Sequence, residues 1–108
     1  MDDIKNILVP VDGSEGSDKA IDFAVSLAQV YKAKIDFLYI ANINQMAINA
    51  CLSDAILDAV TKAGDAILDK ALAKIPPDVS SEAFSETGSP SVTILDFAEE
   101  NKNDMIVM

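Results

Sequence analysis

The stretch Ile4-Lys5-Asn6-Ile7-Leu8-Val9-Pro10-Val11-Asp12-Gly13-Ser14-Glu15-Gly16-Ser17 carries the reading that decides the fold. Ile7 to Val9 is an apolar run of the length expected for a strand buried on both faces, and Asp12-Gly13 bounds the strand with turn residues. From Ser14 onward the pattern changes. Ala20, Ile21, Ala24, Val25, Leu27, Ala28 and Tyr31 recur at three- and four-residue intervals, the period of an amphipathic helix. A buried strand passed by a tight turn into a helix opens an α/β arrangement.

Working outward, Lys32-Ala33-Lys34 places cations at the negative end of that helix dipole, and Ile35 to Ile40 follows with the branched and aromatic residues of a second strand. After a polar break at Asn42 to Gln45, the positions Leu52, Ile56, Ala59, Val60, Ala63, Ile67, Ala71 and Ile75 trace a long helix, which Pro76-Pro77 stops. Val79 to Glu86 is more polar and reads as a short strand near a sheet edge. Ser89 can cap a third helix beginning at Pro90, with Val92, Leu95 and Ala98 facing inward. Asn101 to Asp104 forms a turn, and Met105 to Met108 begins a fourth buried strand.

Connections this short imply right-handed crossovers and a parallel sheet covered by helices on both faces. The expected fold is a Rossmann-like three-layer α/β sandwich with strand order 3-2-1-4. Ligands in such sheets bind where the order reverses, beyond the carboxyl ends of the strands, which puts a crevice beside Asp12 and Met108.

Composition narrows the function. The 108 residues, 50% of them hydrophobic, suffice for a single domain over residues 1–108. The net charge of -10 repels nucleic acid and anionic lipid surfaces, so neither is an expected partner. No apolar run approaches the roughly 20 residues of a membrane span, and Met1 to Lys5 shows no secretory pattern, so the expected compartment is the cytoplasm. The one cysteine, Cys51, agrees with a reducing compartment and reads as a packing residue. All eight basic residues are lysines. Without histidine the commonest acid/base and metal ligand is missing, and without arginine no bidentate clamp can act on a phosphoryl group.

In the turn Val11 to Ser17, the two glycines allow close approach of backbone to a ligand, but Asp12 and Glu15 oppose a phosphate, and no dinucleotide or P-loop spacing is present. Asp12 suits a ribose hydroxyl, a base amino group or a cation. Its spacing alone favours the simpler reading, in which Asp12 or Ser14 caps the helix. Met46, Met105 and Met108 read as core or rim residues. Asp54, Asp58, Asp65 and Asp69 with Lys62, Lys70 and Lys74 read as a solvated helix face, and Lys19 and Asp22 as exposed.

Ile7-Leu8-Val9-Pro10-Val11-Asp12-Gly13-Ser14, with Ala20 and Ala24, resembles the opening signature of universal stress proteins. Gly88-Ser89-Pro90, Ile94, Ala98-Glu99-Glu100 and Asp104 to Met108 are similar to the second signature, in order and at the right separation. The resemblance covers the whole chain. It implies an ATP-binding regulatory module of the stress response, with or without Mg2+. In it Val11 lines the pocket, Asp12 meets the base or ribose side, Gly13 beside it belongs to the nucleotide-binding set, Ile40 presents backbone to adenine, and Met108 precedes a glycine loop for the phosphates. That loop, a fourth helix and the fifth strand that makes the family's dimer contact are not among the 108 residues. The chain is therefore expected to be a C-terminally shortened member that binds ATP weakly or not at all. A homodimer, an unknown protein partner, no catalytic or metal-ligating residue and at most slow ATP hydrolysis are also implied. The alternative is a dimerisation or signalling scaffold of the same family. An ATP-dependent enzyme ranks below both, as does a phosphoacceptor receiver, whose acid after strand 3 would have to come from Glu86-Thr87-Gly88.

Overall fold

In the computed structural model, which describes residues 4–41 and 54–108, strand and helix alternate as the residue pattern requires. The elements are β1 (Asn6–Pro10), α1 (Glu15–Tyr31), β2 (Lys34–Ala41), α2 (Asp54–Ala73), β3 (Ser81–Thr87), α3 (Pro90–Glu100) and β4 (Met105–Ile106). The strands form one parallel sheet in the order β3-β2-β1-β4. α1 and α2 pack on one face and α3 on the other, giving three layers and the expected reversal between β1 and β4. Met46, Cys51, Leu52 and the break at 42–45 lie outside the described residues, as do the side chains of Asp54 and Ile56.

Alternation along the strands divides the core. Ile7, Val9, Ile35 and Phe37 meet Ala20, Ile21, Ala24 and Ala28 of α1 and Leu68 and Ala71 of α2. Leu8 and Leu38 point the other way, onto Phe97 of α3. Phe84 of the edge strand β3 adds an edge-to-face contact to Phe97, with ring centroids 4.9 Å apart. Pro10 is tolerated in an interior strand because of this same alternation. Val11 N–H donates toward β2, to Leu38 O at 2.9 Å, so the donor that Pro10 lacks falls on the β4 side, past the Leu8–Ile106 pair where that ladder stops.

Three expectations need correction. Val92 and Leu95 are exposed, and α3 instead buries Phe97 with Ile94 and Ala98 beside it. With the first turn fixed at Pro90, positions 94, 97 and 98 form one stripe and 92 and 95 fall on the opposite side. Of the cations after α1, Lys34 is turned to the sheet rather than to the helix dipole. Lys32 ends the helix through its backbone, in the left-handed region at φ 57°, with its N–H bonded to Ala28 O. The Lys34 ammonium runs across the sheet to Glu82 at 2.6 Å and Asp36 at 3.2 Å. The lysine face of α2 is only partly solvated. Asp58 and Lys62 form the expected i,i+4 surface pair at 3.1 Å, but Lys74 reaches Asp22 at 3.6 Å and Asp18 at 3.9 Å and so ties α2 to α1.

Two acids hold the ends of the strands. Asp36 is buried in β2, where Oδ2 accepts from Asn103 Nδ2 at 3.0 Å and Oδ1 has an ion contact with Lys34 that lacks hydrogen-bond alignment. Asp104 Oδ2 accepts the N–H groups of Lys5 and Asn6 at 2.8 and 2.9 Å, fastening the start of β1 to the turn before β4. These two N–H bonds hold the Asp104 carboxyl below its ordinary 3.8. Because the unfolded carboxyl takes up its proton at higher pH than the folded one, this contribution is complete above the ordinary value and is lost as pH falls toward the lowered one. In urea melts across acid pH, Asp104→Asn is expected to lose stability at neutral pH and to show a shallower acid decline than the parent.

A Cβ placed on Gly64 of α2 would stand 2.6 Å from Cδ2 and Cε2 of the Tyr39 ring, so the helix seats on β2 at that point only because the side chain is absent. Gly64→Val is expected to cost about 1–3 kcal/mol in a chemical melt through overpacking. A midpoint equal to the parent's would show that the ring moves freely.

Candidate functional site

At the carboxyl ends of β1 and β2, a crevice of about 390 Å³ opens where the strand order reverses. Its volume falls within the roughly 300–1,000 Å³ of small-molecule sites. The walls are Pro10, Val11, Leu38, Ile40, Pro90, Ile94 and Met108, and its polar rim is Asp12, Ser14, Gly16 and Ser17. Four of the five residues singled out in the sequence, Val11, Asp12, Ile40 and Met108, therefore meet in one cavity. Gly13 does not. At φ 84° it turns the chain, faces Ile67 of α2 and lines a separate cavity of about 180 Å³ with Lys70 and Ala71.

The rim is built by a closed relay of three residues. Ser17 N–H donates to Ser14 Oγ at 3.1 Å, Ser14 N–H to Asp12 Oδ1 at 2.9 Å, and Asp12 N–H to Ser17 Oγ at 3.4 Å. Ser14 is thus the N-cap of α1, and Asp12 braces the cap from two residues upstream. Asp12 supports the cap, as the simpler reading expects, and its carboxylate stays exposed at the crevice. Hydrogen bonds from the Ser14 hydroxyl, the Ser14 N–H and its own N–H hold the Asp12 carboxyl below 3.8 against the opposing effect of partial burial. The carboxylate is therefore charged at neutral pH. Among the described residues, no three His, Cys, Asp or Glu side chains converge on one point.

On the far wall, Ser89 stands at the N-cap of α3 without a side-chain cap bond, and Pro90 occupies the first turn as expected. Gly88, at φ 141°, donates its N–H to Ala41 O, and a Cβ there would come within 2.8 Å of Thr93 Oγ1. Pro10, Leu38, Pro90 and Ile94 line the crevice without having been singled out in the sequence. Leu38 could have been read from its place two residues before Ile40, whereas Ile94 depended on the phase of α3.

A family model described as the Universal stress protein family matches residues 3–108. The chain is similar to universal stress protein YxiE of Bacillus subtilis, with 30% identity covering 94% of this chain and 76% of that protein. It is similar to universal stress protein MJ0531 of Methanocaldococcus jannaschii at 27% identity, covering 96% of this chain and 63% of the relative, less than two thirds of its length. The solved structure of the hypothetical protein MJ0577 superposes with a TM-score of 0.84 at 17% identity, over 97% of this chain and 74% of that one. A universal stress protein in complex with cAMP shares the fold with a TM-score of 0.67 at 21% identity, over 97% and 72% of the two chains. An Arabidopsis thaliana family protein with AMP bound does so at 0.66 and 16%, over 96% and 76%. No described helix is long and apolar enough to cross a membrane.

Removing the Ser14 hydroxyl takes a partner from the Ser17 N–H and breaks the relay. Ser14→Ala is expected to cost about 1 kcal/mol in a urea melt, and the Asp12 carboxyl, followed by NMR, is expected to titrate closer to its ordinary value.

Proposed function

The chain belongs to the universal stress protein family, and from that premise we propose that its crevice holds the adenine and ribose of a nucleotide as a regulatory ligand. The observation that carries this reading is the meeting of Val11, Asp12, Ile40 and Met108 in one cavity at the switch point of the sheet. Apolar walls from Leu38, Ile40 and Ile94 offer the planar base a dry slot, and the Asp12 carboxylate offers ribose hydroxyls or a base amino group an acceptor. The cAMP and AMP held by two relatives of the same fold support the ligand class. ATP, with or without Mg2+, is the largest ligand of that class, and the described walls would take its nucleoside end.

The nucleotide is held rather than turned over, since the sequence has neither histidine nor arginine to move a proton or clamp a transferring phosphoryl group. The expected setting is the cytoplasm. A scaffold reading is favoured by a separate observation: Phe23, Val30 and Tyr31 of α1 and Val92 and Leu95 of α3 are exposed apolar side chains, suited to contact with a second copy or a protein partner. Light scattering at increasing concentration tests the homodimer.

Titration of the chain with adenosine and AMP, followed by amide NMR, tests the ligand reading. Saturable shifts centred on Val11, Asp12 and Ile40 are expected. Ile40→Trp, which fills the slot from a half-exposed position, is expected to weaken adenosine at least tenfold with little change in urea midpoint. The absence of saturable binding by the parent would sink this reading.

A further inference from the structure

β3 bounds the sheet on the side remote from β4, and its outer edge has no strand beside it among the described residues. The edge is regular. All seven residues from Ser81 to Thr87 are registered one to one against β2, with neither a proline nor a bulge to interrupt the pairing. The ladder fixes which groups look outward. Ser80 O and Gly88 N–H are both bonded to β2, and backbone groups alternate sides along a strand, so the N–H and C=O of Ser81, Ala83, Ser85 and Thr87 point away from the sheet. The side chains alternate as well. Glu82, Phe84 and Glu86 stand on the α3 face, where Phe84 meets Phe97. Both glutamates are exposed; Lys34 reaches Glu82 from β2, whereas Glu86 has no ion partner among the described residues.

We infer that this edge takes up an extended basic segment of another protein as an added antiparallel strand, selected by a cation, an apolar residue and a second cation at alternate positions. In an antiparallel pair the four outward residues exchange both of their hydrogen bonds with the incoming strand, and the residues between them form the closer pairs, with about 4.5 Å between Cα atoms. Glu82, Phe84 and Glu86 occupy those closer positions, so theirs are the side chains that meet the partner. β3 contains no lysine, and the chain has 18 acids against 8 bases, so a basic strand is attracted both locally and by the whole molecule. Phe84 is only half-buried, and an apolar side chain opposite it completes its cover. A second copy of the chain does not meet this description. Joining two β3 edges would bring Glu82 and Glu86 of each copy onto one face of the combined sheet, so the carboxylates that discourage self-pairing are also those that select a basic partner.

The probe is a capped peptide of about seven residues in which threonine alternates with lysine, valine and lysine, and its counterpart has glutamate in place of both lysines. Each is titrated into the 108-residue chain at low ionic strength and followed by amide NMR. The lysine peptide is expected to give saturable shifts concentrated at 81–87 and to bind about tenfold more tightly than the glutamate peptide, with the gap shrinking as salt is added. Glu86→Lys is expected to weaken the lysine peptide about fivefold and to strengthen the glutamate peptide, a reversal that loss of structure cannot produce. Absence of saturable shifts on β3, equal binding of the two peptides, or movement of the same β3 amides on dilution of the parent chain alone, which would place a second copy on the edge, would overturn the inference. The peptide comparison uses the parent chain, so the test survives a variant that does not fold. No nucleotide enters the titration, and its outcome stands apart from the crevice reading.

Discussion

β1 is paired on both sides and covered on both faces, and the rest of the molecule is arranged around that burial. Its backbone joins β2 along five registered residues and β4 along two, while Ile7, Leu8 and Val9 are wholly removed from solvent. A strand so enclosed cannot move without opening the two helical layers at once. Its last residue therefore delivers Val11 and Asp12 to a fixed point beside the reversal of strand order. The position of the crevice follows from the same fact, because β2 and β4 diverge from β1 into different crossovers.

Around that fixed point the rim is organised by short-range hydrogen bonding rather than by charge. The three-residue relay uses backbone N–H groups as donors and side-chain oxygens as acceptors, so the helix cap and the exposed carboxylate share one framework. A ligand meeting Asp12 meets a group already oriented, which reduces the entropy that binding would otherwise cost. The same device keeps the carboxyl ionised, so the crevice mouth has a fixed negative charge, while Lys34 and Lys74 are spent in cross-element ties away from it.

Much of this was legible in the sequence. The change from a run of branched residues to a three-four period at Ser14, and again after Gly88, is a backbone-level signal, and the sheet order follows from the shortness of the connections. Four of the eleven crevice residues, Val11, Asp12, Ile40 and Met108, were legible for the same reason, since they sit at strand ends that topology brings together. The remainder depended on rotation and reach. The apolar residues of α3 fit two stripes, and Phe97 rather than Leu95 faces the sheet because Pro90 fixes the phase. Gly13 turns away from the crevice through a positive φ that its neighbours do not announce. Lys34 and Lys74 spend their long side chains on partners 48 and 52 to 56 positions away in sequence, which no local spacing reveals.

The two sides of the sheet are unequal. Among the described residues, fourteen buried apolar side chains join on the α1–α2 side and three on the α3 side. Local opening costs least where the fewest contacts must be broken, so excursions from the native state begin by lifting α3 from Leu8 and Leu38. That helix also forms a wall of the crevice through Pro90 and Ile94. Amide protons of α3 would then exchange with solvent sooner than those of β1 and β2, and a ligand seated against Ile94 would slow them, making the thin side of the fold the part that registers occupancy.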